Sequence, residues 1–283
     1  MTDLRFLTWN LKYGGHGTTG PKAKLLSMLP WDIAALQEVT PSSWEVLSSA
    51  GLTDGAASAF ETDSPPEGHR RMGSAILSRN GHPLIDPIGI AGPKAGRGVA
   101  AHTLVEGLAV AVCSWHAPNA AGQGPEAKMS GYRALLDWTV HETLPMVVGF
   151  DSNHWARSTA LDLLEVPDDT SDQWLLERQF FGAQPPHRLR DVYLDFLRAN
   201  PEIYAPIHAR GPAEPLAVSY RRGTKAKPVD DRFDYIFVSP EFECVDATYH
   251  TTSGFAAGSD HAPVTATLRL ASHTPAEASY NAD

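Results

Sequence analysis

Several short apolar runs in this chain stop on a polar side chain with chemistry to offer, and that repeated ending constrains the fold more than any other feature. Eight such runs, rich in apolar and β-branched residues, are Leu4–Trp9, Ile33–Gln37, Met72–Leu77, Val99–Leu104, Leu108–Trp115, Met146–Phe150, Phe233–Val238 and Pro263–Leu270. They read as β-strands, and that many strands imply two sheets. The first gives way to Asn10, the second to Glu38, the fifth to His116 and the sixth to Asp151-Ser152-Asn153. Asp234 falls inside the seventh, and Gly258-Ser259-Asp260-His261 directly precedes the last. If these strands are neighbours in two packed sheets, their polar ends meet in one crevice.

Between the strands, helices are expected over Lys22–Leu29, Ser42–Ala50, Glu126–Thr143, Gln173–Phe181 and Leu189–Arg198, with Pro41 and Pro125 at first-turn positions. Three stretches rich in Gly and Pro, Ala56–Arg71, Pro83–Gly96 and Ala205–Val229, read as surface loops. The last residues are small, polar and without periodicity. The expected organisation is one domain over 1–270 and a flexible tail over 271–283.

Composition narrows the function classes. With 42% hydrophobic and 20% charged residues among 283, the chain can build a packed core. No apolar stretch reaches the ~20 residues of a membrane helix, and Met1–Asn10 lacks a basic segment followed by an apolar one, so a soluble, cytoplasmic protein is expected. Cys113 and Cys244 sit in strand-like surroundings with no neighbouring cysteine and read as reduced core thiols. The formal charge of -10 argues against holding nucleic acid by bulk charge. A carboxylate-built site with a bound cation and a local basic loop remains compatible with it.

Four acids, two asparagines and two histidines make up the set that phosphoryl chemistry requires. A hard divalent cation takes carboxylate oxygens, while amides and imidazoles bind non-bridging phosphate oxygens as charge grows. Further groups must activate water and assist the leaving oxygen. Singly, each residue has a plainer reading: Asn10 as a strand-end turn, Glu38 as a helix cap, His116 as a structural histidine, Asp151 and Asn153 as an Asx-turn. Asp234 lies among alternating apolar residues, where a carboxylate needs a partner, and His261 is the natural one.

The pieces FLTWN, ALQEV, GSAILSR, SWHAPN, VVGFDSN, RFDYIFVS and SDHAPV, in this order over nearly the whole chain, resemble the endonuclease/exonuclease/phosphatase superfamily. That resemblance implies a DNase I-like fold, a four-layered α/β/β/α sandwich of two mixed β-sheets. It implies a metal site of Glu38 with Asn10 and Asp260 nearby, Asn153 and His116 on phosphate oxygens, and Asp151 on the attacking water or the leaving group. It also implies that His261 touches the scissile phosphate while Asp234 fixes its tautomer, a pairing that physical chemistry favours independently. Two positions depart from the family pattern: Phe150 stands between Gly149 and Asp151, and Lys12 occupies a position that is acidic in some apurinic-site enzymes.

The resulting expectation is a Mg²⁺-dependent phosphodiester hydrolase, with Mn²⁺ as the alternative ion, acting on DNA or another nucleic acid. The alternative is a phosphatase or phosphodiesterase for a small phosphorylated molecule such as an inositol phosphate, nucleotide or lipid head group. Candidate substrate contacts are Lys12, Arg71, Arg221, Lys225 and Lys227, the last three from a basic run shortly before Asp234. No protein partner and no membrane span are expected.

Overall fold

The computed structural model describes residues 3–13, 16–63, 65–67, 71–153, 179–182, 185–211, 214–224 and 226–271. The strands, in chain order, are β1 (Leu4–Asn10), β2 (Ile33–Val39), β3 (Gly55–Ser58), β4 (Gly73–Ser78), β5 (Ile85–Gly89), β6 (Gly98–Val105) and β7 (Leu108–His116). They continue as β8 (Met146–Asp151), β9 (Arg190–Asp191), β10 (Tyr220–Thr224), β11 (Lys227–Asp231), β12 (Asp234–Val238), β13 (Phe242–Tyr249) and β14 (Val264–Leu270). One six-stranded sheet runs β13-β14-β1-β2-β4-β3, a second runs β5-β6-β7-β8-β12-β9, and β10 and β11 form a separate hairpin. Each large sheet is mixed: β1 pairs in parallel with β2, and β7 with β8, among otherwise antiparallel neighbours.

Strand alternation sorts the side chains into layers. Phe6, Ile33, Ala35, Val110, Val112, Val147, Ile236, Val264 and Ala266 point between the sheets and form the central core. The opposite faces are covered by helices. Leu7, Trp9, Ala34 and Leu36 pack under α1 (His16–Met28) and α2 (Pro41–Ser49), while Cys113, Trp115, Val148 and Phe150 pack under α3 (Pro125–His141). The architecture is therefore helix, sheet, sheet, helix, as the resemblance implies. Thr40 caps α2 through a reciprocal bond set with Ser43, and Pro41 opens the helix.

At Gly149 the two sheets approach closely. A Cβ there would lie 2.8 Å from atoms of Ala35, Phe6 and Thr8, so only hydrogen fits. Phe150 then faces the outer core, stacked on Tyr235, and the strand continues without a register shift to Asp151. The Gly-Phe-Asp departure is thus absorbed by plain alternation.

All eight expected strands are present. The expected loops are less regular in outcome, because Ala56–Arg71 and Pro83–Gly96 contain most of β3 and all of β5, and Ala205–Val229 contains a helix end and most of the hairpin. These strands were illegible because short, exposed or Pro-bearing segments carry little apolar periodicity; β5 is almost wholly exposed. The helix expected over Leu189–Arg198 is α4 (Val192–Ala199), preceded by β9 and capped by Asp191, whose side chain accepts from Tyr193 and Leu194 N–H. The helix expected over Gln173–Phe181 lies mostly outside the described residues, as does the expected tail. Both cysteines are free. No helix among the described residues is long and apolar enough to cross a membrane.

Candidate active site

Asn10, His116, Asp151 and Asp234 occupy the same alternation as the central core, beyond its apolar layers. His116 and Asp234 each pair directly across from Asp151 on the two flanking strands, so three functional groups stand side by side at one sheet's end. Asn10 closes the facing sheet and donates from Nδ2 to Asp151 Oδ2 at 2.8 Å, linking the two sheets at the site. Below them, Gln37 Nε2 donates to Ser114 Oγ (3.1 Å) and Thr8 Oγ1 (3.2 Å), a polar floor within the inter-sheet layer.

Glu38 should point away from this crevice by simple alternation with Leu36. A register shift between Leu36 and Val39, with φ of +53° at Glu38, re-aims it. Its Oε1 lies 3.7 Å from His116 Nε2. Lys12 (φ +47°) and Asn153 (φ +43°) share this uncommon backbone state at the crevice.

The Ser-Asp-His turn is pinned from below. Ser259 Oγ donates to Asn10 O (2.8 Å) and accepts from His261 N (3.1 Å), and Trp9 Nε1 donates to His261 O (2.9 Å). His261 Nδ1 donates to Asp234 Oδ2 at 2.8 Å, while its Nε2 lies 3.8 Å from Asp151 Oδ2. Burial opposes charge on this imidazole, but Asp234 and Asp151 outweigh it and raise its pKa to about 10. At neutral pH His261 is an imidazolium.

Asp151 accepts from Asn153 N–H through Oδ1 at 2.8 Å. The Asx-turn and the functional arrangement therefore coexist in one carboxylate. Burial, reinforced by Asp234 and opposed by His261, lifts the Asp151 pKa to about 6. Burial likewise raises Glu38, with Asp151 adding to it. His116 is neutral, held well below the ordinary range by burial and by the charges of Arg97 and His261. Its Nδ1 accepts from Arg97 Nη1 at 2.6 Å. Asn153 Nδ2 donates to Ala117 O (2.9 Å), and Lys128 Nζ fixes the Asn153 carbonyl at 2.7 Å.

Asp260 is the most open acid of the set, its Oδ2 3.0 Å from Lys12 Nζ. It lies on the same side as Glu38, since both act on the ammonium of buried Lys22, whose pKa burial lowers. The expected acids, amides and imidazoles are thus brought together. The basic residues are not treated alike. Arg71 is exposed and makes no hydrogen bond or ion pair with this set. Arg221 makes a two-point bond with Asp230 (2.6 and 2.8 Å) and lies over the Phe255 ring. Lys227 is exposed on β11, and Lys225 lies outside the described residues. Sequence reasoning missed Arg97, Lys22 and Lys128, since a lone Arg before a strand or a Lys on a helix carries no signal of its burial.

Donor chemistry fits a divalent cation. Asp151, Asp234 and His261 place ligand-type atoms within 4.8 Å of one another, and His261 Nδ1 is already engaged by Asp234 Oδ2 at 2.8 Å. Glu38 is crowded by Asp151 and has the His116 imidazole in ion-pair range at 3.7 Å. Asn10 Oδ1 accepts from Lys12 N–H (2.8 Å) and keeps a second lone pair.

A two-sheet sandwich carrying crowded carboxylates, an imidazolium and oriented amides at its open end defines a phosphoesterase. The chain belongs to the Endonuclease/Exonuclease/phosphatase family, whose sequence profile matches residues 7–261. Similar solved structures include a humanized D. rerio TDP2 (13% identity, 95% of this chain and 99% of that one, TM-score 0.64) and the endonuclease/exonuclease/phosphatase from Bacteroides vulgatus (16%, 96% and 100%, 0.64). The Xenopus laevis APE2 catalytic domain is also similar (19%, 95% and 94%, 0.66). At these identities the likeness is one of fold. A search of curated proteins finds no match.

Proposed function

We propose that this protein is a Mg²⁺-dependent phosphodiesterase acting on a nucleic-acid strand, hydrolysing the ester by direct attack of water. One observation carries the catalytic reading: the imidazolium of His261, locked on Asp234 at 2.8 Å, sits beside a buried Asp151 whose pKa of about 6 suits proton acceptance near neutral pH. Asp151 takes the proton of the attacking water. His261 and Asn153 donate to non-bridging oxygens, where negative charge develops. Glu38, with Asn10 and Asp260, would hold the divalent ion, which when bound offsets charge on the phosphate.

The hairpin supports the nucleic-acid choice. Tyr220 bridges to His261 through the backbone and packs its ring against the imidazole at 4.7 Å. Residues opposite one another on a hairpin share a face, so Arg222, Thr224 and Lys227 lie on the Tyr220 side and Arg221 on the other. Lys227 therefore extends the crevice as a cation, beside Arg222, which is paired with Asp231 at 3.3 Å, with Lys225 between them in sequence. Lys12 stands at the Asp260 edge. A solved D. rerio TDP2 of the same fold carries a single-strand DNA product.

The overall charge of -10 favours the second reading, a phosphatase or phosphodiesterase for small phosphate esters. The cytoplasm is the proposed compartment. Purified protein with Mg²⁺ or Mn²⁺, offered plasmid DNA, an abasic duplex, single-stranded RNA, bis-p-nitrophenyl phosphate and inositol phosphates, decides between them. EDTA-sensitive cleavage of nucleic acid is the expected result; phosphate release from small monoesters alone would establish the second reading.

A further inference from the structure

Arg97 stands at the start of β6 with its backbone clamped into both sheets. Its carbonyl accepts from His116 N–H and from Ser74 Oγ, each at 2.8 Å. The next residue, Gly98, has no room for a Cβ, which would lie 2.8 Å from Ile90. The side chain is thereby launched from a rigid base toward Glu38, His116 and Asp151, and burial lowers its pKa.

Its bonding is incomplete in an informative way. Among the described residues the guanidinium has no carboxylate in ion-pair contact, and Nη1 alone has an acceptor, on the His116 ring. Glu38 and Asp151 act on it only through space. A guanidinium is a planar fork of N–H donors, so Nε and Nη2 keep theirs. A cation taken out of water without an anion beside it is costly. Fork geometry matches a phosphate, whose oxygens accept from two parallel N–H groups.

Resting on the phosphoesterase reading of this site, we propose that Arg97 is a catalytic residue whose Nε and Nη2 donors bind a non-bridging oxygen of the scissile phosphate, with His116 as the positioning residue that aims it. His116 thus acts on the phosphate through Arg97.

The test uses the full chain with Mg²⁺ and bis-p-nitrophenyl phosphate. Arg97→Ala should lose about 10²-fold or more in kcat/KM, the scale for one transition-state donor. Arg97→Lys, which keeps charge without the fork, should recover little. Millimolar guanidinium chloride should restore part of the Arg97→Ala activity and none in the wild type, a response that a merely structural arginine does not give. Calorimetric binding of inorganic phosphate should weaken at least tenfold in both variants. Arg97→Ala combined with His116→Ala should cost little more than Arg97→Ala alone, because the two act as one unit. Unchanged phosphate affinity together with no guanidinium rescue would overturn the proposal. If Arg97→Ala does not fold, Arg97→Lys and Arg97→Gln carry the same phosphate measurement. A wild type inactive on every ester removes the phosphoesterase reading, whereas an active wild type with unaffected variants removes only the role of Arg97.

Discussion

Asp234 and His261 form a closed ion pair at the end of the inter-sheet core, 2.8 Å apart with both side chains buried. Oδ1 of Asp234 has no hydrogen-bond partner among the described residues, so the imidazolium is the sole direct compensation for this carboxylate. Asp234→Asn should therefore lower kcat about 10- to 100-fold, as loss of an outer orienting group does. The high-pH limit of kcat should move from near 10 toward neutrality, since the folded pKa of His261 is about 10 against an ordinary 6.5. Because that folded value is raised, the pair's contribution to stability is complete below pH 6.5 and fades as pH climbs to 10. Urea denaturation of wild type and Asp234→Asn should show a gap that is wide at low pH and shrinks across this window; a constant gap would contradict the pairing.

Asp151 is read as the base, and its pKa of about 6 predicts an acid limb. kcat/KM should fall as pH drops through that value, because only the carboxylate can accept a proton. Asp151→Asn should lose about 10²- to 10⁴-fold at pH 8, the usual contribution of a general base. The acid limb should vanish from whatever activity remains. An Asp151→Asn enzyme that keeps the limb would assign it to another group.

Gly149 tests the sheet packing that sets the site's width. Gly149→Ala places a methyl 2.8 Å from atoms on three residues of the facing sheet, none of them the far end of a long flexible chain. Overpacking of this kind costs roughly 1–3 kcal/mol. The denaturation midpoint should fall, and kcat with it, because Asp151 is two residues along the same strand. A fully stable, fully active variant would show that the sheets are not held this close.

How much was readable in the chain follows from what each residue does locally. Apolar runs ending in Asn10, His116 and Asp151 announced both the strands and the crevice, because burial and period-two alternation are properties of the local sequence. Glu38 is the instructive case. Its presence beside the site was expected, yet its aim depends on a register shift against β4, which only strand pairing produces. Arg97 and Lys22 were invisible for the same reason: a charged residue's burial is decided by what packs around it from distant parts of the chain. The hairpin was read as loop because every described residue over 222–228 is exposed, leaving no apolar pattern. Arg221 and Lys227 looked equivalent in the basic run, and only cross-strand pairing separates the one bonded to Asp230 from the one on the Tyr220 side.

Glu38 is held in an unfavourable place for a carboxylate. Burial penalises its charge, Asp151 repels it, and the left-handed backbone adds strain. A carboxylate whose folded pKa is raised destabilises the native state wherever it is ionised. Glu38→Gln keeps the shape and removes the charge. In EDTA at pH 7 this variant should melt at a higher temperature than wild type, while phosphodiesterase activity falls by several powers of ten. Adding Mg²⁺ should raise the melting temperature of the wild type and leave Glu38→Gln nearly unmoved, since ligand binding stabilises only the form that binds. A variant that melts lower than wild type in EDTA would mean that Glu38 is a structural partner of its neighbours, and a variant that still responds fully to Mg²⁺ would move the metal site elsewhere. The two readings separate in a single pair of melting curves.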